Sequence, residues 1–356
     1  MLLDPARFAR EIDGKPVALF TLRNSRGMAV CVTNYGAKIE QVLVPDREGR
    51  LDDVVLGYDS MDGVTGGAAS VGAFIGRYAG RIAQARFTLN GKEHVLTANN
   101  GPHCLHGGVK GSRFRVFDAM QRSDASVEMN YVFADGEEGF PGALALRLTY
   151  SVTEANELVL DYEAIARDVP TVANFTTHAF FNLEGAGSRS ALGHEVQVCA
   201  RRYFGMTPDL IATGELLPVE DTPFDLRKPV VLNTRVKAPQ AAGGLAGYDD
   251  CFEIDRAAVS EGELALCARV SAAASGRVME VWSTEPTMQF YTGLVAGEPL
   301  AGGPGKGGRV YVQQQSLCFE PQGYPNAPNL PAFPSAVHEP GKGRHGRTLY
   351  RFSTSA

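Results

Sequence analysis

The run Ser316-Leu317-Cys318-Phe319-Glu320-Pro321-Gln322-Gly323 sets one carboxylate at the end of an apolar segment, directly before a proline. Burial there raises a carboxyl pKa and makes Glu320 a base or a ligand; the competing reading is an ordinary edge residue. A second run, Asn174-Phe175-Thr176-Thr177-His178-Ala179-Phe180-Phe181-Asn182-Leu183, holds one imidazole among aromatic rings and small hydroxyls. Such neighbours desolvate an imidazole and tune it for acid or base work near neutrality, although a satisfied core histidine fits the same pattern. The turn-rich stretch from Asn99 to Gly108 carries two more of the seven histidines, His103 and His106. A metal centre needs two or three convergent ligands, and His-x-x-His alone does not provide them, so a loop histidine bonded to backbone stands beside that reading. Finally, Gly247-Tyr248-Asp249-Asp250-Cys251-Phe252 puts two carboxylates in one turn, a pattern also at home in solvent. A carboxylate opposed to an imidazole is equipment for acid–base chemistry, in which one group removes a proton as the other delivers one.

The elements that must position these groups read as strands. Val127, Met129, Tyr131 and Phe133 form one apolar face; Leu144, Leu146, Leu148, Tyr150 and Val152 form the next; Leu158, Leu160, Tyr162 and Ala164 form a third. Period-two alternation with short linkers predicts an antiparallel meander. Asn90-Gly91 between Phe87-Thr88-Leu89 and His94-Val95-Leu96 predicts a tight hairpin. Further strands are expected over 17–22, 28–33, 196–200, 264–270, 277–282 and 309–315. Residues 5–12 suit one short helix, and helical periodicity is otherwise nearly absent. The glycine-rich stretch 302–308 resembles a linker or a flexible hairpin tip and is no phosphate loop, since Leu300 and Gly307 break that pattern. The four prolines of 324–334 require extended irregular chain over the surface. The expected fold class is all-β, a large antiparallel β-sandwich with few short helices, forming one domain over residues 1–356.

Composition agrees. Forty glycines and twenty prolines favour many turns over long helices. A net charge of −6, from 34 basic and 40 acidic side chains, argues against a nucleic-acid partner. No run of 18 apolar residues suggests a membrane span. Six scattered cysteines (Cys31, Cys104, Cys199, Cys251, Cys267, Cys318) with no C-x-x-C pair read as free thiols in a reducing compartment, and cytoplasmic is the expected location.

Taken in order, these motifs resemble those of the aldose 1-epimerases, also called galactose mutarotases. Thr33-Asn34-Tyr35-Gly36-Ala37, Gly76-Arg77-Tyr78-Ala79-Gly80-Arg81-Ile82, Leu105-His106-Gly107-Gly108, the Thr177–Leu183 run, Gly247–Phe252, Glu320-Pro321-Gln322 with Pro325-Asn326-Ala327-Pro328-Asn329, and Tyr350-Arg351-Phe352-Ser353 carry the likeness over about residues 15–354. The resemblance implies a β-supersandwich and the interconversion of α and β anomers of a free aldose, galactose or glucose. It implies that Glu320 is the general base at the C1 hydroxyl and His178 the general acid at the ring oxygen. His106 then supports charge at that oxygen, Arg81, Asp249 and Gln289 bind hydroxyls, and Phe180 walls the pocket. No electrons move in such a reaction, so neither a cofactor nor a metal is expected. The partner is a free monosaccharide, and the chain is expected to be a monomer or a homodimer.

The sequence departs from the family pattern at four places. Gly80 stands in place of Asn, Thr177 in place of Asn, Asp250 in place of His, and Gly323 in place of a bulkier residue. Gly80 and Gly323 suggest a pocket opened to a different pentose or hexose, and Asp250 suggests negative charge beside Asp249. The rival readings are a catalytically silent sugar-binding or regulatory module, a hexose-6-phosphate 1-epimerase lacking an evident cationic cluster, and a glycosidase using Asp249 and Glu320.

Overall fold

Alternation in the central sequence builds the longest strands. The computed structural model describes residues 1–68, 70–188, 190–236, 247–293 and 303–355. Ser126–Phe133, Leu144–Val152 and Glu157–Ala166 pair in succession as the expected antiparallel meander. Gly343–Thr354, Arg277–Ser283, Ala265–Ser271, Glu195–Val198 and Val230–Val231 extend it on one side and Asp118–Ser123 on the other, giving nine strands. A second sheet runs Ala212–Pro218, Ala200–Met206, Asp249–Ile254, Thr287–Tyr291, Cys318–Gln322. A third has four strands, Leu19–Arg23, Ala29–Thr33, Lys38–Pro45 and Leu51–Asp53. Inward side chains of all three meet in one apolar cluster. Val127, Leu146 and Leu160 come from the nine-stranded sheet, Val30 and Val42 from the four-stranded one, and Phe252, Phe290 and Phe319 from the five-stranded one. Each fully buried side chain of this size contributes roughly 1.5–3 kcal/mol, which makes the shared cluster the main reason the sheets stack. The architecture is all-β and antiparallel; helix among the described residues is confined to Met61–Gly66 and short 3-10 turns.

Several local expectations need correction. The helix expected over 5–12 stops as a 3-10 turn at Phe8, and Arg10–Ile12 instead forms a hairpin with Lys15–Val17. The single strand expected over 17–22 breaks at Ala18, whose N–H donates to Asn34 Oδ1. The strand over 196–200 breaks at Cys199, where the chain leaves the nine-stranded sheet for the five-stranded one. Residues 309–315 form no strand: Tyr311 is plugged into the interior, its hydroxyl donating to Gly57 O, and Gln314 is left-handed at φ 59°. The glycine-rich stretch is anchored rather than free. Lys306 Nζ donates to Glu40 O, Asp53 Oδ2 and Val55 O at 2.7, 2.5 and 2.8 Å; Gly302 lies outside the described residues. The proline-rich 324–334 segment is irregular with one 3-10 turn; Pro331, Ala332 and Pro334 lie on the surface as expected, while Pro325, Asn326 and Ala327 are buried.

Candidate active site

Strand register assembles one wall. Asp249 pairs with Tyr291 and Tyr291 with Cys318; Cys251 pairs with Gln289 and Gln289 with Glu320; Thr287 pairs with Gln322. Paired residues share a face and neighbours alternate, so Asp249, Gln289, Cys318, Glu320 and Gln322 line one side while Phe252, Phe290 and Phe319 face the core. Gln289 Nε2 donates to Asp249 Oδ1 at 2.8 Å. Cys318–Gln322 is an edge strand, which tolerates Pro321 in its sequence.

His178 reaches this wall from outside the five-stranded sheet. Its N–H donates to Ala73 O and its carbonyl accepts from Gly72 N, clamping the backbone just after the Thr176–Thr177 strand. The imidazole Nε2 stands 3.7 Å from Glu320 Oε1. Phe180 stacks on the ring at 4.9 Å and 14°, and Tyr291 meets it edge-on at 6.1 Å. His106 lies edge-on to His178 at 5.6 Å. Its Nδ1 accepts from Gly80 N, which assigns the ring proton to Nε2. The following turn needs glycine, since a Cβ on Gly107, at φ +78°, would fall 2.2 Å from Gly76 O.

Arg81 Nε donates to Asn100 Oδ1 at 2.8 Å, and its charge bears on Asp249 and Tyr291. Asn174 ties the Gly76–Ile82 segment to the Glu320 strand, donating to Ala79 O and accepting from Gly323 N. Asn174→Ala orphans both buried groups, a loss of about 1–3 kcal/mol of stability. Denaturant midpoints measure it, and an unchanged midpoint would contradict this role.

The electrostatics are governed by exclusion of water. Glu320 is 3% exposed and His178 7%. Burial pushes the Glu320 carboxyl well above the usual range, and the charge of Asp249 adds to the rise. Burial lowers His178 to about 4, with Arg113 assisting. His106 falls well below the ordinary imidazole value through burial and then the neighbouring His178. Burial also raises Asp249, against the pull of Arg81 and the Gln289 bond. The two imidazoles are thus neutral at pH 7, and burial favours the uncharged form of Glu320 as well.

Glu320, His178, His106, Phe180, Arg81, Asp249 and Gln289 therefore surround one place. His103 does not join them: its Nδ1 accepts from Gln84 N and its Nε2 lies 3.8 Å from Asp209, so the two loop histidines share no ligand position. Asp250 is a correction. Successive side chains alternate, so it faces away from Asp249, into the protein, and accepts from the Asp249 N–H. Its carboxyl is raised to about 7 by burial and then by the charge of Asp249, so it is only partly ionised at neutral pH. Gly323 is another: a Cβ there would meet Asn174 Oδ1 at 3.0 Å and Arg344, so its missing bulk is not on the Glu320 face. Gly80 does leave room, with only Gln322 Oε1 within reach, at 3.9 Å. Thr177 is buried against Tyr150. Sequence reasoning missed Cys318 and Gln322 as members of the wall. The signal was their spacing of two residues either side of Glu320.

A family model described as aldose 1-epimerase matches residues 18–351. The chain belongs to the aldose 1-epimerase family. It is 40% identical to a galactose mutarotase of Mus musculus over 342 residues, 96% of both chains. It is 32% identical to an aldose 1-epimerase of Escherichia coli K12, again over 96% of each. The solved aldose epimerase homologue of C. elegans superposes with a TM-score of 0.86 at 28% identity, covering 96% of this chain and all of that one. Aldose 1-epimerases are isomerases, so this chain is an enzyme of that class and the binding-module and hexose-6-phosphate readings are not favoured. No helix among the described residues is long and apolar enough to cross a membrane.

Proposed function

We propose that the chain, acting as one domain, interconverts the α and β anomers of free galactose or glucose, with Glu320 and His178 as the proton-transfer pair. The observation that carries this is their opposition at 3.7 Å with both side chains buried. The reaction needs one proton shared by the pair. With it on His178, Glu320 is the carboxylate that takes the C1 hydroxyl proton while His178 delivers to the ring oxygen, and the C1–O5 bond opens. Moving one proton within the pair brings no net charge into the buried site. Rotation about C1–C2 and closure with roles reversed yields the other anomer. His106, with its proton on Nε2, supports negative charge at the ring oxygen. Arg81, Asp249 and Gln289 hold sugar hydroxyls, and Phe180 forms the apolar wall.

The named galactose mutarotases among the relatives support galactose as a substrate. One chain supplies every residue invoked, so a monomer or a homodimer suffices. Six unpaired cysteines support a cytoplasmic setting. Polarimetry of freshly dissolved α-galactose, α-glucose, xylose and arabinose tests the reading. Acceleration for the two hexoses is expected, and failure with both would refute it. Gly80→Asn restores a polar side chain to open space, at a left-handed position that Asn tolerates. A contact made equally before and at the transition state should lower KM about 2–10-fold and leave kcat unchanged. Unaltered KM would remove Gly80 from the binding surface.

A further inference from the structure

Cys318 and Glu320 are two residues apart on one strand and therefore point to the same side. His178 faces them across the pocket. A ring nitrogen of His178, the Cys318 sulfur and a Glu320 oxygen all lie within 4.8 Å of one another, and all three residues are buried. We propose that these three side chains form a site for a thiophilic divalent cation of the Zn²⁺ type, whose occupation switches the enzyme off.

The donor set is that of zinc: one imidazole nitrogen, one thiolate and one carboxylate oxygen, leaving a fourth tetrahedral position towards the sugar pocket. Ligand atoms sharing a tetrahedral Zn²⁺ at about 2.0–2.3 Å stand roughly 3.3–3.8 Å apart. The His178–Glu320 separation of 3.7 Å already meets that spacing. The Cys318 sulfur, within 4.8 Å of both, closes the remaining gap by rotation of its side chain. The Asp249 carboxylate, whose charge reaches both Cys318 and Glu320, favours a cation further. On binding, the thiol and carboxyl protons leave to solvent and nothing is oxidised or reduced. The metal then occupies the lone pairs that catalysis needs, so inhibition competes with sugar. This consequence rests on the role proposed above for Glu320 and His178, whereas binding itself does not.

The test uses the full chain with Co²⁺ as optical probe and Zn²⁺ as inhibitor. Co²⁺ should give intense tetrahedral visible bands with a thiolate-to-cobalt band in the near ultraviolet. Zn²⁺ should inhibit mutarotation competitively and reversibly by chelator. Cys318→Ser and, as a second variant, Cys318→Ala should each abolish the thiolate band and weaken Zn²⁺ inhibition at least tenfold, each measured against that variant's own metal-free rate. No thiolate band in the wild type, or undiminished inhibition in both folded variants, overturns the site. A normal cobalt spectrum in a chain that does not accelerate mutarotation would instead overturn the catalytic reading and leave the site standing.

Discussion

Glu320→Gln lowers kcat for galactose mutarotation by roughly 10²–10⁴-fold, the usual worth of a positioned acid or base. The amide fills the same space beside His178 and still forms hydrogen bonds, but it neither takes the C1 proton nor returns one. His178→Ala has a loss of the same order. The double variant loses little more than either single one, because the two groups act as one proton-transfer unit. KM changes little, since Arg81, Asp249 and Gln289 remain. The buried carboxyl is an electrostatic liability at 3% exposure, with Asp249 close enough to raise its pKa. Gln removes that liability, so the variant should melt at or above the wild-type temperature. A fall in activity accompanied by a fall in melting temperature would mean that Glu320 supports the fold rather than the reaction.

Asp250→Asn has the largest expected effect on stability, and its sign depends on pH. The Asp250 carboxyl is raised from 3.8 to about 7, by burial first and then by the charge of Asp249, while the Asp249 N–H pulls the other way. Tyr203 and Tyr248 lie within its field. A group whose folded pKa lies above its unfolded pKa binds its proton more tightly when folded. Its contribution is full below pH 3.8 and is lost as pH rises through about 7. At about 1.4 kcal/mol per pH unit, the wild type forfeits about 4 kcal/mol across that window. Asn cannot ionise and keeps an oxygen for the Asp249 N–H, so the variant should gain about 2–4 kcal/mol over wild type at pH 8 and almost nothing at pH 4. Denaturant unfolding at both pH values measures the difference, and an equal offset at the two would contradict the account.

How much could be read in advance followed from how locally each feature is encoded. The meander was legible because alternate residues from Val127 to Ala164 are apolar and one face must be buried. The Asn90-Gly91 hairpin was legible because both residues take positive φ, 52° and 77°, which those types tolerate. Residues 309–315 suggest a strand through Val310-Tyr311-Val312 but form none, because Tyr311 fills a hole made by distant residues. The turn of helix at Met61–Gly66 carries two glycines and gave no periodic signal. Within the site, local context singled out His178 and Glu320, the resemblance gave them roles, and the structure brings them together from separate elements. The direction of Asp250 and the inclusion of Cys318 both followed from strand parity, once register was known. Gly323 could not be judged from sequence, because its neighbours, Asn174 and Arg344, come from other parts of the chain.

The most direct measurement is saturation transfer between the two anomeric H1 resonances of galactose at equilibrium, recorded with catalytic amounts of the full chain. Irradiating one anomer's resonance should attenuate the other in proportion to enzyme concentration, with the effect abolished in Glu320→Gln. Transfer no greater than in buffer, from a folded chain that still binds the sugar, would contradict the claim that Glu320 and His178 open and reclose the ring.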